Sequence, residues 1–344
     1  MANRNFIRLA AILLLTPFLA GGAMSADIFL VASYHQSDPF GQPQHDGVRA
    51  AIDQGGYGSL STRSFFLDTR VGSPGSVDST LGEIKDALSA AGPALVVTID
   101  DPAFDLLYET LLGREKTWVV FTGINRSLEQ YNSRAKFLSG RTPVANVTGV
   151  FEYLFMREQF DLLESFLDRE VSKVAILHST DAVGMIVKRQ ILEELAGTPY
   201  EGRVVSFAAD DVPAMLQHAA TINDDPEIDA YIPVTMSVLD PATGQRRPME
   251  TLAPLLTSSI GKIDLALSAA FTKFGFFGGF SVDYYRMGFQ AGNKAARLLA
   301  GRSIRDMTIE DARSAVVAVN RTRLQALGIR PRPEVLGMVD VWVE

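Results

Sequence analysis

Carboxylates, hydroxyls and a few rings recur just after the apolar runs of this sequence. In order they are Ser33-Tyr34-His35, Asp68, the pair Asp100-Asp101, Gly123 with Asn125, Thr148 to Glu152, His178 with Asp181, Thr235, and Phe280 behind two glycines. The repeated acids (Asp68, Asp100, Asp101, Glu152, Asp181) suit an ammonium group. Hydroxyls and the free backbone N–H groups of helix starts suit a carboxylate. Nearby rings suit a planar or apolar body. Together these types point to a small zwitterion, amino-acid-like and aromatic. For any single acid the plainer role of helix N-cap is the commoner one. A hard cation is a further reading, since oxygen ligands are plentiful, but the clustered Asp/Asn loop that would specify it is missing.

Reactive chemistry is poorly represented. There is no cysteine, hence no thiol nucleophile. The G-x-S-x-G elbow, the G-x-x-x-x-G-K-[ST] loop and the H-E-x-x-H helix are absent, and no G-x-G-x-x-G follows the first strand. His35, His45, His178 and His218 are scattered without a zinc spacing. His35 and His178 both follow strands and could meet across a cleft, with hydrogen-bonding or structural roles outweighing catalysis. The reading is therefore a binding protein with no cofactor, no bound metal and no catalytic residue. An exported hydrolase using Ser33 or His35 is the enzymatic alternative.

Strand ends matter because ligands of open parallel sheets sit beyond the carboxyl ends of the strands. From Asp27 the pattern alternates: strands over 28–32, 60–67, 95–99 and 118–121, with helices over 45–54, 76–91 and 102–112. Continuous apolar strands separated by helices predict an α/β fold with parallel sheets covered on both faces. After residues 147–152 a second series begins. Its helices are expected over 154–167, 183–195, 212–222 and 248–258, and its strands over 174–177, 204–208, 230–234 and 265–270.

The aromatic, glycine-rich stretch 274–285 follows, readable equally as an interlobe hinge or as a buried aromatic turn. Ser281 is the expected N-cap of the next helix, with Asp283 in its first turn. That helix runs to about Ala300, where Gly301 supplies a left-handed stop. A stripe of Gly288, Gly292, Ala295, Ala296 and Leu299 should let it lie close on a sheet. A last strand at 316–320 and a short helix at 322–327 close the pattern. The fold class is two Rossmann-like lobes with parallel sheets joined by a multi-strand hinge. Lobe one is expected to hold 27–147 plus 279–312, and lobe two 148–278 plus 313–344.

The chain has 344 residues, a net charge of −8, and 47% hydrophobic and 21% charged residues. Arg4 and Arg8, then an apolar 9–20 and small residues at 21–26, form a secretory signal peptide too short to span a bilayer. Cleavage after Ala23 or Ala26 removes two arginines and leaves a charge of −10. An acidic chain without a basic cluster excludes nucleic acid and anionic membrane surfaces as partners. With no cysteine there are neither disulfides nor a lipidated N-terminal cysteine, and the core alone must stabilise the fold. The expectation is an exported, soluble periplasmic monomer with no membrane insertion after cleavage.

Several segments carry a family resemblance: 28–35 ending Ser-Tyr-His, Thr148-Gly149-Val150-Phe151-Glu152, 279–301 ending Ala-Ala-Arg-Leu-Leu-Ala-Gly, and Asn320 through Leu327-Gly328-Ile329. In order and spacing, over essentially all of the mature chain, they resemble the type I periplasmic solute-binding proteins of ABC transporters. The group is the one related to tryptophan- and tyrosine-type binding proteins. The resemblance implies a hinge-closing protein that delivers a small-molecule ligand to an ABC permease, with the strand-end loops above lining the cleft. Members also occur as sensing modules of kinases or cyclases, a signalling segment not expected here. A sensor for a separate membrane receptor, or a binder of a cationic or metal-containing solute, are the alternatives. The aromatic 274–280 run and the paired Asp100-Asp101 depart from the family pattern.

Overall fold

The computed structural model describes residues 27–70, 72–234 and 237–344. The expected leader at 1–26 and the expected pocket residue Thr235 lie outside the described residues.

In the first lobe the elements run β1 (Ile28–Ala32), α1 (Gly41–Ile52), β2 (Thr62–Phe66), α2 (Pro74–Ala91), β3 (Leu95–Ile99), α3 (Asp100–Leu111), β4 (Trp118–Ile124) and α4 (Leu128–Arg134). A small hairpin, β5 (Leu138–Ser139) with β6 (Thr142–Pro143), precedes β7 (Val147–Phe151). β1 and β3 are buried at every position, as strands covered on both faces must be. Ser73 caps α2 through its side chain and Gly92 ends it in the left-handed region, as the Gly-Pro signal predicts.

The second lobe runs α5 (Met156–Leu167), β8 (Lys173–Ser179), α6 (Ala182–Leu195), β9 (Val204–Ala209), α7 (Val212–Asp224) and β10 (Ile228–Pro233). A hairpin of β11 (Ser237–Asp240) and β12 (Gln245–Pro248) leads to α8 (Met249–Ser259), β13 (Ile263–Asp264), α9 (Ala270–Lys273) and β14 (Gly278–Val282). The chain then gives α10 (Tyr284–Leu299), β15 (Glu310–Asp311), β16 (Ala315–Asn320), α11 (Arg321–Ala326), α12 (Pro333–Leu336) and β17 (Val341–Val343).

Six strands form the first sheet, in the order β15-β7-β4-β3-β1-β2, all parallel. The second lobe has the parallel order β13-β10-β8-β9 and a β14-β16-β17 sheet, linked by a bridge between Leu265 and Gly278. Late sequence therefore completes both lobes. α10 and β15 return to the first, while β14, β16 and β17 stay in the second. The expected division points at 147/148 and 278/279 fall inside β7 and β14, whereas 312/313 falls between β15 and β16. By strand pairing the three crossovers lie at 152–155, at Asp283 and at 312–314. The last two are tied together by Asp283 N–H donating to Ser314 O at 3.0 Å.

Two local expectations are corrected, and one open alternative is decided. The cap of α10 is Asp283, whose carboxylate accepts from Arg286 N at 2.9 Å, because Ser281 is a buried strand residue bonded to Ala266 O. The run 265–270 is no strand: pairing ends after Leu265, and α9 begins at Ala270. Of the two readings of 274–285, the buried turn describes Phe276 and Phe277, which are 0% and 1% exposed in the second-lobe core. Gly278 and Gly279, at φ +114° and +147°, carry the chain into β14.

The small-residue stripe also meets a helix as well as the sheet. A Cβ on Gly288 would fall on the Gln44 carbonyl, one on Gly292 would lie 2.6 Å from Val48 O, and one on Gly47 would fall on Tyr285 O. α1 and α10 thus touch backbone to backbone. Gly288→Ala should cost about 2 kcal/mol or more by forcing these helices apart. Gly82→Ala, mid-helix on exposed α2 with nothing within 4 Å, should gain about 0.5–1 kcal/mol from lost unfolded-state freedom. Urea unfolding of the two variants should show these opposite signs.

Candidate functional site

The close contact of α1 and α10 fixes Gln44 on the buried face of α1. Gln44 Nε2 donates to Asp100 Oδ1 at 2.8 Å, and its Oε1 accepts from Thr122 Oγ1 at 3.1 Å. Asp100 opens α3 at the tip of β3 with φ +65°, a left-handed backbone rarely used outside glycine. Gly123, at φ +74°, leaves room for this pair, since a Cβ there would lie 2.5 Å from Gln44 Oε1 and 2.6 Å from Asp100 Oδ1. Asp100 is 5% exposed, and its Oδ2 has no hydrogen-bond partner. Burial first, then the charge of Glu152, pushes its carboxyl well above the usual range, although Gln44 opposes this.

Glu152 begins the first crossover. It is 6% exposed and accepts from Tyr284 OH at 3.3 Å. Burial, then the Asp101 charge, pushes its carboxyl up to about 8. Asp101 itself is occupied, accepting from Asn125 N, Arg126 N and Tyr131 OH at 2.8, 3.1 and 2.8 Å. That holds the β4–α4 turn, so Asn125 Nδ2 reaches across to Gln190 Oε1 of α6 at 3.0 Å. Gln190 donates in turn to Glu152 O at 2.6 Å, and Glu194 accepts from Leu154 N and Met156 N at 2.8 and 3.2 Å. The crossover is thereby clamped to the second lobe at Phe155, whose φ is +56°.

Arg70, just after β2, bridges the lobes from outside. It donates to Asp38 Oδ2 at 2.9 Å and to Glu250 Oε1 of α8 at 2.7 Å, and its guanidinium lies 5.2 Å from the Phe40 ring centroid. Phe40 inserts edge-on between Phe271 of the second lobe and Tyr284, at 6.0 and 6.1 Å. The result is a narrow chamber of about 60 Å³ lined by Tyr34, Phe40, Arg70, Asp100, Asn125, Glu152, Leu154, Val183, Val187, Leu267, Ser268 and Tyr284. Tyr34, Arg70 and Val183 continue into an outer cleft of about 630 Å³ with Pro102, Asp181 and Arg246. Burial and the surrounding acids push the phenols of Tyr34 and Tyr284 well above their ordinary values, so both remain hydrogen-bond donors.

The strand-end residues therefore divide. Tyr34, Asp100, Asn125 and Glu152 converge on the chamber, Asp101 and Asp181 line the cleft beside it, and Gly123 shapes it from behind. His35 and Asp68 sit together, 3.7 Å apart, outside the residues that line the chamber. Four others point away from it. Ser33 Oγ donates to Ile99 O at 2.6 Å and accepts from Ala103 N at 2.8 Å, so it is committed to the backbone and is no nucleophile. Thr148 Oγ1 donates to Met307 O at 2.6 Å inside the core. His178 is 2% exposed, held between Ser179 O and Ser206 Oγ at 2.8 Å each, and does not meet His35. Phe280 packs on Phe155 at 5.6 Å behind the crossover.

The strand-end candidates reach Arg70, two residues past Asp68, but leave out Gln44, Phe40, Tyr284 and Val183. A polar Gln within the apolar face of a helix was the one signal available for Gln44. Phe40 stands in a loop and carried none.

No family model and no curated protein matches the chain. Solved structures do match in fold. One from Streptococcus pneumoniae, the ABC domain in complex with L-Trp, is 18% identical with a TM-score of 0.64, covering 92% of this chain and all of its own. A ligand-free, open substrate-binding protein with adhesive properties from Clostridium difficile is 16% identical, with a TM-score of 0.68 and coverages of 92% and 98%. A conserved domain protein from Vibrio cholerae is 15% identical, with a TM-score of 0.68 and coverages of 92% and 99%. The chain has the two-lobed type I periplasmic-binding fold that these structures share, as the resemblance predicts.

The raised carboxyl of Glu152 has a stability consequence. A carboxyl held near 8 in the folded state, against about 4.3 unfolded, favours folding fully only below the lower value. That contribution is lost as pH rises from about 5 through 8. Glu152→Gln should therefore gain on wild type between pH 5 and pH 9, by on the order of 3 kcal/mol. Urea unfolding at pH 5, 7 and 9 measures this, and parallel curves would show that Glu152 ionises freely.

Proposed function

We propose that the protein captures a small solute between its lobes and hands it to the membrane permease of an ABC transporter. The observation behind this reading is the chamber itself. It is walled by the first lobe through Asp100 and Asn125, by the second through Leu267 and Ser268, and by the crossover through Glu152. Such a site closes when the lobes turn about the three crossovers, and opens the same way. The polar groups facing it suit recognition; Ser268, the serine in its wall, accepts from Ala270 N at 3.2 Å, and Ser33 behind it is tied to the backbone on both sides.

Rings dominate one wall, in Tyr34, Phe40 and Tyr284, which favours a solute with an apolar or aromatic body. The L-Trp in the pneumococcal neighbour is consistent with an amino-acid-sized ligand. The leader-like N-terminal stretch fits a periplasmic site of action, and the three crossovers fit hinge closure within a single chain.

Thermal-shift screening of residues 27–344 against amino acids, aromatic acids, polyols, nucleobases, amines and metal ions tests the reading. A bound solute at a hundredfold excess over its Kd stabilises by about 2.7 kcal/mol. Asn125→Ala should weaken that solute by roughly tenfold, by removing one polar contact in a closed site. Small-angle scattering should show compaction upon binding. Chemical turnover of the solute would replace capture with catalysis, and stabilisation unaltered by Asn125→Ala would place the ligand outside the chamber.

A further inference from the structure

We infer that the solute is an organic cation, its ammonium group seated between Asp100 and Glu152, with no carboxylate required on the ligand; this rests on the solute-capture reading. The two carboxylates face one small chamber, and neither is paired with a basic side chain. Asp100 Oδ2 is buried without any partner, and the donors near the Glu152 carboxyl are neutral, Tyr284 OH at 3.3 Å and the Asn125 side chain. Among the described residues Arg70 is the one cationic side chain lining the chamber, and Asp38 and Glu250 already take its two terminal nitrogens. Its buried Nε lacks a partner, but two acids over-neutralise the guanidinium. No full positive charge is left for a ligand carboxylate, and the chamber is short of positive charge.

Rings complete the case. Tyr34, Phe40 and Tyr284 line the same chamber as the two acids, Phe40 already holds the Arg70 guanidinium over its ring, and aromatic faces attract a desolvated ammonium. A metal ion fits less well. Among the described residues no group of three or more His, Asp or Glu side chains converges to hold one, and hard divalent ions ask for six or more oxygens. The narrow chamber suits an amine head, and the adjoining cleft of about 630 Å³ takes the body.

Proton balance follows from the same geometry. Asp100 is faced by Gln44, Asp38, Asp101, Glu152 and Tyr34, and Glu152 by Tyr284, Asn125, Asp101 and Glu194. Burial and mutual repulsion raise both carboxyls, and Glu152, pushed up to about 8, keeps its proton in the empty site at neutral pH. A docking R–NH₃⁺ keeps its three protons, and the carboxyl that receives it releases its own to solvent. Binding should then tighten as pH rises from 6 towards 8.

Two matched series test the inference by thermal shift and titration calorimetry: tyramine, tyrosine and 3-(4-hydroxyphenyl)propionate, then putrescine, 4-aminobutyrate and succinate. The amine of at least one series should bind and its anion should not. Asp100→Asn or Glu152→Gln, both isosteric and checked for folding by their own melting curves, should weaken the amine about tenfold or more, as loss of a charged hydrogen bond requires. The binding enthalpy at pH 7 should depend on the buffer, reporting proton release. An anion that binds as well as its amine, or an amine unaffected by both substitutions, overturns the cation assignment and leaves solute capture standing. Silence from both series overturns it as well, and the wider panel above then decides capture separately.

Discussion

The backbone contact between α1 and α10 is the constraint on which the rest of the structure depends. Gly47, Gly288 and Gly292 bring two helices from opposite ends of the chain to a distance no Cβ would permit. That contact makes residues 284–311 part of the first lobe, and so obliges the chain to cross between lobes three times. It also sets Gln44, whose side chain holds Asp100 in its left-handed backbone at the mouth of β3. A packing requirement between two helices thus decides where the cleft carboxylate stands.

The second lobe is closed by a polar device instead. Arg323 of α11 donates to Asp264 Oδ2 through Nε at 2.8 Å and Nη2 at 2.6 Å, and also to Thr257 O and Ile260 O at 2.8 and 2.7 Å. Phe277 N–H donates to the other Asp264 oxygen. A buried ion pair so fully hydrogen-bonded does not leave the desolvation of its charges uncompensated. The contrast with Asp100 and Glu152 is instructive. In the same chain one buried acid is surrounded by donors, while the two in the chamber are left short of them, and unmet polar groups of that kind mark functional sites.

Much of the architecture was legible because it is local. Strand and helix alternation, the Gly92 and Gly301 stops, and the covered parallel sheets follow from hydrophobic period and turn chemistry over short windows. Ser281 misled because a hydroxyl before a helix reads as a cap, but strand pairing with Val316 runs through it and leaves the cap to Asp283. The run 265–270 misled because a short apolar run looks alike whether it forms a strand or a buried turn.

The sequence by itself determined that polar residues would gather at the carboxyl ends of parallel strands in two lobes, since that placement needs only the order of elements. Which of those residues face the cleft was decided by tertiary structure. Successive side chains at a strand end point to opposite faces, so Ser33 turns inward to a backbone carbonyl while Tyr34 turns to the chamber; Thr148 lies within β7 and bonds Met307 O in the core, whereas Glu152 stands just past the end of that strand. Their partners are also remote. Gln44 meets Asp100 across 56 residues, and Arg70 meets Glu250 across 180. No local pattern encodes a contact at that separation, because it exists only once the distant elements that carry the two residues have packed together.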